Sequence, residues 1–145
     1  YLSSLPTVVK VEPFTIVHGT LRDHIKEYLL EQDTALATLE RLETLYCAVG
    51  HSHIPFICRE DGGKATFIEF SEDKAYPLGE ERLLINPGSV GQLRDRNPKP
   101  SYAIYDSLAS TIERHRVEYR IQDTQEKMRN ANLLEYQIER LIHGI

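Results

Sequence analysis

Two histidines one residue apart, His51 and His53, follow a glycine at the end of the apolar run Leu45-Tyr46-Cys47-Ala48-Val49. Neutral imidazole is the commonest side-chain ligand for zinc, iron and manganese-type ions, so the pair is a candidate metal site. The competing reading is two solvated loop histidines. In an extended segment, side chains at i and i+2 point the same way. Both rings are therefore expected to reach one cleft at the C-terminal end of a strand, where open α/β sheets bind ligands. The arrangement recurs upstream, where the apolar run Phe14 to Val17 ends in His18-Gly19-Thr20. Taken alone, His18 reads as a loop histidine; two such strand ends in one short chain favour a shared purpose.

The elements that must position these residues follow from periodicity and turn chemistry. Thr7 to Val11 and Phe14 to Val17 read as strands joined by a tight turn at Glu12-Pro13. Leu21 to Glu31 is a short amphipathic helix or an ordered loop, with His24 on its solvated face. Asp33 or Thr34 caps a helix with a Leu36, Leu39 and Leu42 stripe, which leads into the strand at Leu45. Helix followed by strand signals a parallel crossover. Phe56-Ile57-Cys58 and Ala65 to Phe70 flank an Asp61-Gly62-Gly63 turn, a β-hairpin pattern. Ser71 to Glu81 is charged and reads as an exposed loop.

Leu83-Leu84-Ile85 forms a further strand running into Asn86-Pro87-Gly88-Ser89-Val90-Gly91-Gln92, a small-residue loop of the kind whose amides can face an anion. Arg94 follows closely enough to contact a phosphate; a plain surface arginine is the alternative. Tyr102 to Tyr105 and Thr111 to Tyr119 read as antiparallel strands, with His115 pointing to solvent. At the end, Asp123 or Thr124 caps one helical segment. Asn132 with Glu135 resembles a capping box for a second, with Leu134, Ile138 and Leu141 as its buried stripe. His143 lies in the last turn before Gly144, where it suits the helix dipole and needs no chemistry.

With 145 residues, 41% hydrophobic and 27% charged, the chain suffices for one domain with a real core. A net charge of −5 argues against an extended nucleic-acid groove, which needs a surplus of Lys and Arg. A small phosphorylated substrate remains compatible, because a bound dication would dominate the local field. No apolar run approaches a membrane span, and Tyr1-Leu2-Ser3-Ser4-Leu5-Pro6 does not resemble a signal peptide. The chain reads as though it starts inside a domain. Cys47 and Cys58 fall in expected strands and read as buried thiols, which suits a reducing cytoplasm.

Three blocks together carry a resemblance: Val17-His18-Gly19-Thr20; Val49-Gly50-His51-Ser52-His53-Ile54-Pro55; and Ile85 to Gln92, with Arg94-Asp95 and Ser101-Tyr102-Ala103 behind it. In order and separation the chain resembles the C-terminal part of a calcineurin-like metallophosphoesterase, in the group of bacterial phosphodiesterases and diadenosine tetraphosphatase-related enzymes. The resemblance implies an α/β fold, a two-layer mixed β-sandwich flanked by helices, with residues 1–145 forming the C-terminal part of a single domain. It implies two divalent metal ions, of manganese, iron, zinc or nickel, with His18 and His51 on one and His53 on the other. Asn86, Gly88, Ser89 and Arg94 would then lie near the substrate phosphate. The reaction implied is metal-assisted hydrolysis of a phosphomonoester or phosphodiester, nucleotides among them.

Departures from the pattern shape the expectation further. The family's D-x-H, G-D-x-x-D and G-N-H motifs, which supply the bridging aspartate and the histidine assisting the leaving group, have no counterpart here. An N-terminal half from outside this sequence is therefore expected as a partner, and the segment alone is expected to be inactive and to expose a core face. Leu21 and Leu93 stand where many relatives carry proline. The alternative reading is a catalytically inactive scaffold of the same fold that binds protein partners. A closed structural zinc site fits poorly, since such sites take four Cys or His ligands close in sequence.

Overall fold

A helix, a six-stranded sheet and a three-stranded sheet stack in that order, and both sheets are made by strands whose alternate residues face different neighbours. The computed structural model describes residues 1–145, apart from the side chain of Leu2. After a 3₁₀ turn at Leu2–Ser4, strands β1 (Val8–Val11) and β2 (Phe14–Val17) form an antiparallel hairpin. Residues 21 to 31 then run as bends and turns, so the ordered loop and not the helix is what forms there. Helix α1 (Gln32–Arg41) leads to β3 (Tyr46–Ala48), which pairs parallel to β2 as the crossover signal requires.

Strands β4 (Phe56–Asp61) and β5 (Lys64–Ile68) form the expected hairpin, followed by β6 (Ala75–Pro77) and β7 (Leu83–Asn86). Strand β7 inserts between β3 and β4, giving the order β1-β2-β3-β7-β4-β5. The smaller sheet has the order β6-β9-β8, with β8 (Ser101–Asp106) and β9 (Thr111–Arg116) antiparallel. Helices α2 (Ile121–Asn130) and α3 (Glu135–Glu139) and a 3₁₀ turn at Arg140–Ile142 close the chain.

Central strands are buried on both faces, which is why they read as unbroken apolar runs. Leu84 of β7 faces α1 with Cys47, Cys58, Leu39 and Leu42. Its neighbours Leu83 and Ile85 face the smaller sheet, meeting Ile57, Phe70 and Ile112. Leu39 and Leu42 carry the helix stripe into this core; each such burial contributes about 2 kcal/mol before chain entropy is subtracted. Leu21 packs against the same cluster and Leu93 is buried, so both leucines at the proline positions serve packing.

Several expected boundaries move. Glu31, not Asp33 or Thr34, is the N-cap of α1, because the Thr34 hydroxyl reaches back to accept from the Glu31 amide at 3.3 Å and donates to its carbonyl at 2.9 Å. The N-cap of α2 is Arg120, whose guanidinium pairs with Asp123 at 3.0 Å. Leu134 caps α3 and is 70% exposed, so only Ile138 and Leu141 of the expected stripe are buried. Asn132 instead turns the chain with φ 54°. Ser71 to Glu81 is not all loop, since β6 pairs with β9 as a sheet edge, the place where Pro77 is tolerated.

One face of the larger sheet is uncovered at its β1–β2–β3 end. Val9 and Ile16, cross-strand partners on that face, are 36% and 47% exposed. With Leu5, Ala48 and Pro87 they line an apolar groove of about 720 Å³ that ends at His18. This end of the sheet thus presents an apolar face to solvent. No helix of the described residues is long and apolar enough to cross a membrane.

Candidate metal centre

Parallel strands deliver their C-terminal ends to one edge, and here β2, β3 and β7 deliver His18, the 50–53 turn and Asn86 side by side. The Gly50 amide donates to the His18 carbonyl at 3.0 Å, fixing the two strand ends together. Nε2 of His18 then lies 2.9 Å from Nδ1 of His51.

The His51 to His53 segment is not extended, contrary to the sequence expectation. His51 and His53 themselves take the left-handed conformation, with φ 58° and 61°, and the glycine does not. Each such backbone costs on the order of 1 kcal/mol for a non-glycine residue, so surrounding contacts must hold it. Asn86 supplies them. Its buried amide Nδ2 donates to the Gly50 carbonyl at 2.9 Å and to Ser52 Oγ at 3.0 Å, while Oδ1 accepts from the Gly88 amide at 2.9 Å.

The third histidine is set apart from the other two. Among the described residues, the group of three ligand-type side chains within 4.8 Å of one another is Asp73, Glu113 and His115, and not the strand-end histidines. His53 Nδ1 is buried without a hydrogen-bond partner. An orphaned buried imidazole nitrogen is costly unless something occupies it. Burial first, and then the nearby Arg94 charge, lower the His53 pKa; burial and then His51 lower that of His18. Both effects favour the neutral, ligand-competent ring.

The donor set fits a divalent ion. Two cis ligands about 2.1 Å from one ion stand about 3 Å apart, close to the His18–His51 separation. His51 Nε2 lies 3.2 Å from the Lys26 carbonyl, an acceptor only, so Nε2 carries the proton and Nδ1 presents its lone pair toward His18. The segment that brings Lys26 there folds back over Gly19, where a Cβ would stand 2.6 Å from the Asp23 carbonyl oxygen. Thr20, buried, accepts from the Arg22 and Asp23 amides and donates to Glu27 at 2.5 Å. Glu27 is gripped by Arg22 and Thr20, which hold its carboxyl below the usual range.

Of the residues expected near the phosphate, Arg94 is half-buried at the site. Its Nη2 donates to Gln92 Oε1 at 3.1 Å, and Nη1 lies 3.5 Å from the Tyr28 hydroxyl. Gly88 has φ 95° and sits against Ser101, so it is a steric requirement of the turn. Ser89 Oγ accepts from the Gly91 and Gln92 amides at 3.2 Å. With the Gly88 amide on Asn86, much of the loop's donor capacity is engaged within the loop itself. Sequence reasoning did not single out Tyr28, whose ring stacks on His51 at 4.0 Å and 15°. Nor did it place Arg114 and Arg116 inward on β9, where Arg116 pairs with Asp95 beneath the Ile54-Pro55 turn.

The Asp73, Glu113 and His115 group belongs to the opposite face of β9 by strand alternation. His115 has Asp73 at 2.9 Å from Nδ1 and Glu113 at 3.7 Å from Nε2, so each ring nitrogen already faces a carboxylate. The two carboxylates partly shield the ring expected to be solvated.

Comparison with known proteins finds relatives of this chain. Residues 3–110 match the model of the calcineurin-like phosphoesterase superfamily domain. An uncharacterized protein of Methanocaldococcus jannaschii, MJ0912, is 46% identical over 96 residues, covering 66% of this chain and 38% of that protein. The crystal structure of a metallophosphoesterase from Sphaerobacter thermophilus superposes with a TM-score of 0.94 at 39% identity, over 100% of this chain and 60% of that one. The hypothetical protein PH1004 of Pyrococcus horikoshii shares the fold, with a TM-score of 0.74 at 19% identity, over 100% of this chain and 53% of its own. The chain therefore spans less than two thirds of the length of each of these relatives. A family match over residues 3–110, on a fold that superposes over its whole length on a metallophosphoesterase, establishes that the chain belongs to the calcineurin-like phosphoesterase superfamily.

Proposed function

We propose that this chain carries part of a divalent-metal centre that hydrolyses phosphoesters, with His18 and His51 on one ion and His53 on a second. The observation that carries the reading is the 2.9 Å approach of His18 Nε2 and His51 Nδ1, with the His51 tautomer set from behind by the Lys26 carbonyl. Bound ions would supply Lewis-acid stabilisation of phosphoryl charge and a nucleophilic water. The chain's own residues do the positioning. Asn86 locks the 50–53 turn, and Arg94 offers a guanidinium for phosphoryl oxygens.

Three histidines leave the coordination of two ions incomplete. The remaining ligands come, on this reading, from the rest of the domain, packed into the apolar groove that opens beside His18. The longer relatives have the length for it. Substrates are phosphomonoesters or phosphodiesters, and histidine ligation favours manganese, iron, zinc or nickel over magnesium.

The test is hydrolysis of p-nitrophenyl phosphate and bis-p-nitrophenyl phosphate by metal-stripped full-length protein, before and after reloading with Mn²⁺. Turnover should require metal and fall more than about a hundredfold in His18→Ala, His51→Ala and His53→Ala. Turnover that persists without metal, or in all three variants, overturns the proposal.

A further inference from the structure

Tyr28 occupies a position that burial does not explain. Its neighbour Leu29 is 1% exposed and pins the segment into the core, yet Tyr28 itself is 43% exposed. Its ring nevertheless lies flat against the His51 imidazole, with centroids 4.0 Å apart and planes 15° from parallel. The same segment places the Lys26 carbonyl on His51 Nε2 at 3.2 Å. These two contacts are complementary: the carbonyl fixes which way the ring's nitrogens point, and the stack fixes the plane in which they lie. The far end of Tyr28 does something else. Its hydroxyl stands 3.5 Å from Nη1 of Arg94, whose Nη2 is held by Gln92.

We infer that Tyr28 is a positioning residue with two separable duties: its ring face orients His51 for the metal, and its hydroxyl holds Arg94 where it meets the substrate's phosphoryl oxygens. This rests on the metal-dependent phosphoesterase reading above. A planar guanidinium binds an oxyanion well only when its fork is aimed, so the phenol sets the quality of substrate binding without touching the ion. The ring acts on the ion without touching the substrate.

Two variants separate the duties. Tyr28→Phe keeps the stack and removes the hydroxyl; Tyr28→Leu removes the stack as well. In full-length protein, calorimetric titration with Mn²⁺ reads the first duty, and the split between KM and kcat on bis-p-nitrophenyl phosphate reads the second. Tyr28→Phe should bind Mn²⁺ as the parent does while KM rises about threefold to tenfold with little change in kcat. Tyr28→Leu should lose about tenfold in Mn²⁺ affinity, the usual effect of removing a group that orients a ligand. Circular dichroism melts confirm that both variants fold.

If the parent protein binds no Mn²⁺, the phosphoesterase reading fails and this inference with it. If the parent binds and hydrolyses while both variants match it, the inference alone is overturned. A Tyr28→Phe protein that loses metal affinity as Tyr28→Leu does would overturn the division between ring and hydroxyl.

Discussion

Replacing Gly19 with alanine tests whether the loop over β2 sets the geometry of the proposed metal centre. An alanine Cβ there would stand 2.6 Å from the Asp23 carbonyl oxygen, 3.0 Å from that of Glu27 and 3.2 Å from the His24 carbonyl carbon. All three are backbone atoms, so no rotamer change relieves the clash. Ordinary contact begins near 3.4 Å, and the loop must back away by about 0.8 Å. It is not free to do so, since the Gly19 amide donates to the His24 carbonyl at 2.8 Å and the Thr20 amide to that of Asp23 at 3.0 Å. Overpacking against such a restraint costs about 2 kcal/mol. The displacement also reaches Lys26, whose carbonyl contact with His51 is already 3.2 Å long and would break. Gly19→Ala should therefore lower stability in urea unfolding by about 2 kcal/mol and Mn²⁺ affinity by about tenfold in calorimetric titration of the full-length protein. Unchanged stability together with unchanged affinity would refute the claim that the loop is seated on Gly19 and steers His51.

Three further expectations follow from buried groups. Asn86→Ala removes the brace that serves Gly50, Ser52 and Gly88 at once, and stranding those partners should cost about 3 kcal/mol in urea unfolding; a loss below about 1 kcal/mol would show that the 50–53 turn holds itself. Burial pushes the thiols of Cys47 and Cys58 up to about 12 from an ordinary value of 9.0, so both should resist alkylation at pH 8 until the protein is unfolded. Because these folded-state values are raised for an acid, the unfolded chain loses its protons first; stability should fall as pH rises past about 9, and a urea midpoint flat from pH 8 to 10 would contradict the burial.

The strand ends were legible because apolar runs closing on His18 and on Gly50-His51 carry their own punctuation. The turn between His51 and His53 was not, since left-handed backbone at histidine leaves no compositional mark. The support behind His51 was invisible for another reason: any residue at position 26 offers a carbonyl, and Tyr28 reads as one more apolar position of a weakly amphipathic stretch. Strand β6 hid in a charged segment with a proline, legible only once a sheet edge is known to be there. The inward arginines of β9 defeated simple alternation. Arg114 reaches the Phe70 carbonyl and Arg116 reaches Asp95, so two charges sit where a hydrophobic pattern expects carbon.

The place of β7 in the sheet governs the order in which the molecule can assemble. Strands β3 and β4 follow one another in sequence, yet β7 lies between them, so the β1–β3 half and the β4–β5 hairpin join only when residues 83–86 arrive. Such distant pairings carry the entropy cost of closing the intervening loop before they return any stability. Asn86 ends that strand and clamps Gly50, a residue 36 positions earlier. The turn bearing His51 and His53 is consequently clamped only when β7 is in place. Before that clamp is in place the 50–53 turn lacks the Asn86 contacts that hold it, so on the proposed reading His51 and His53 are set for an ion only once the sheet is complete.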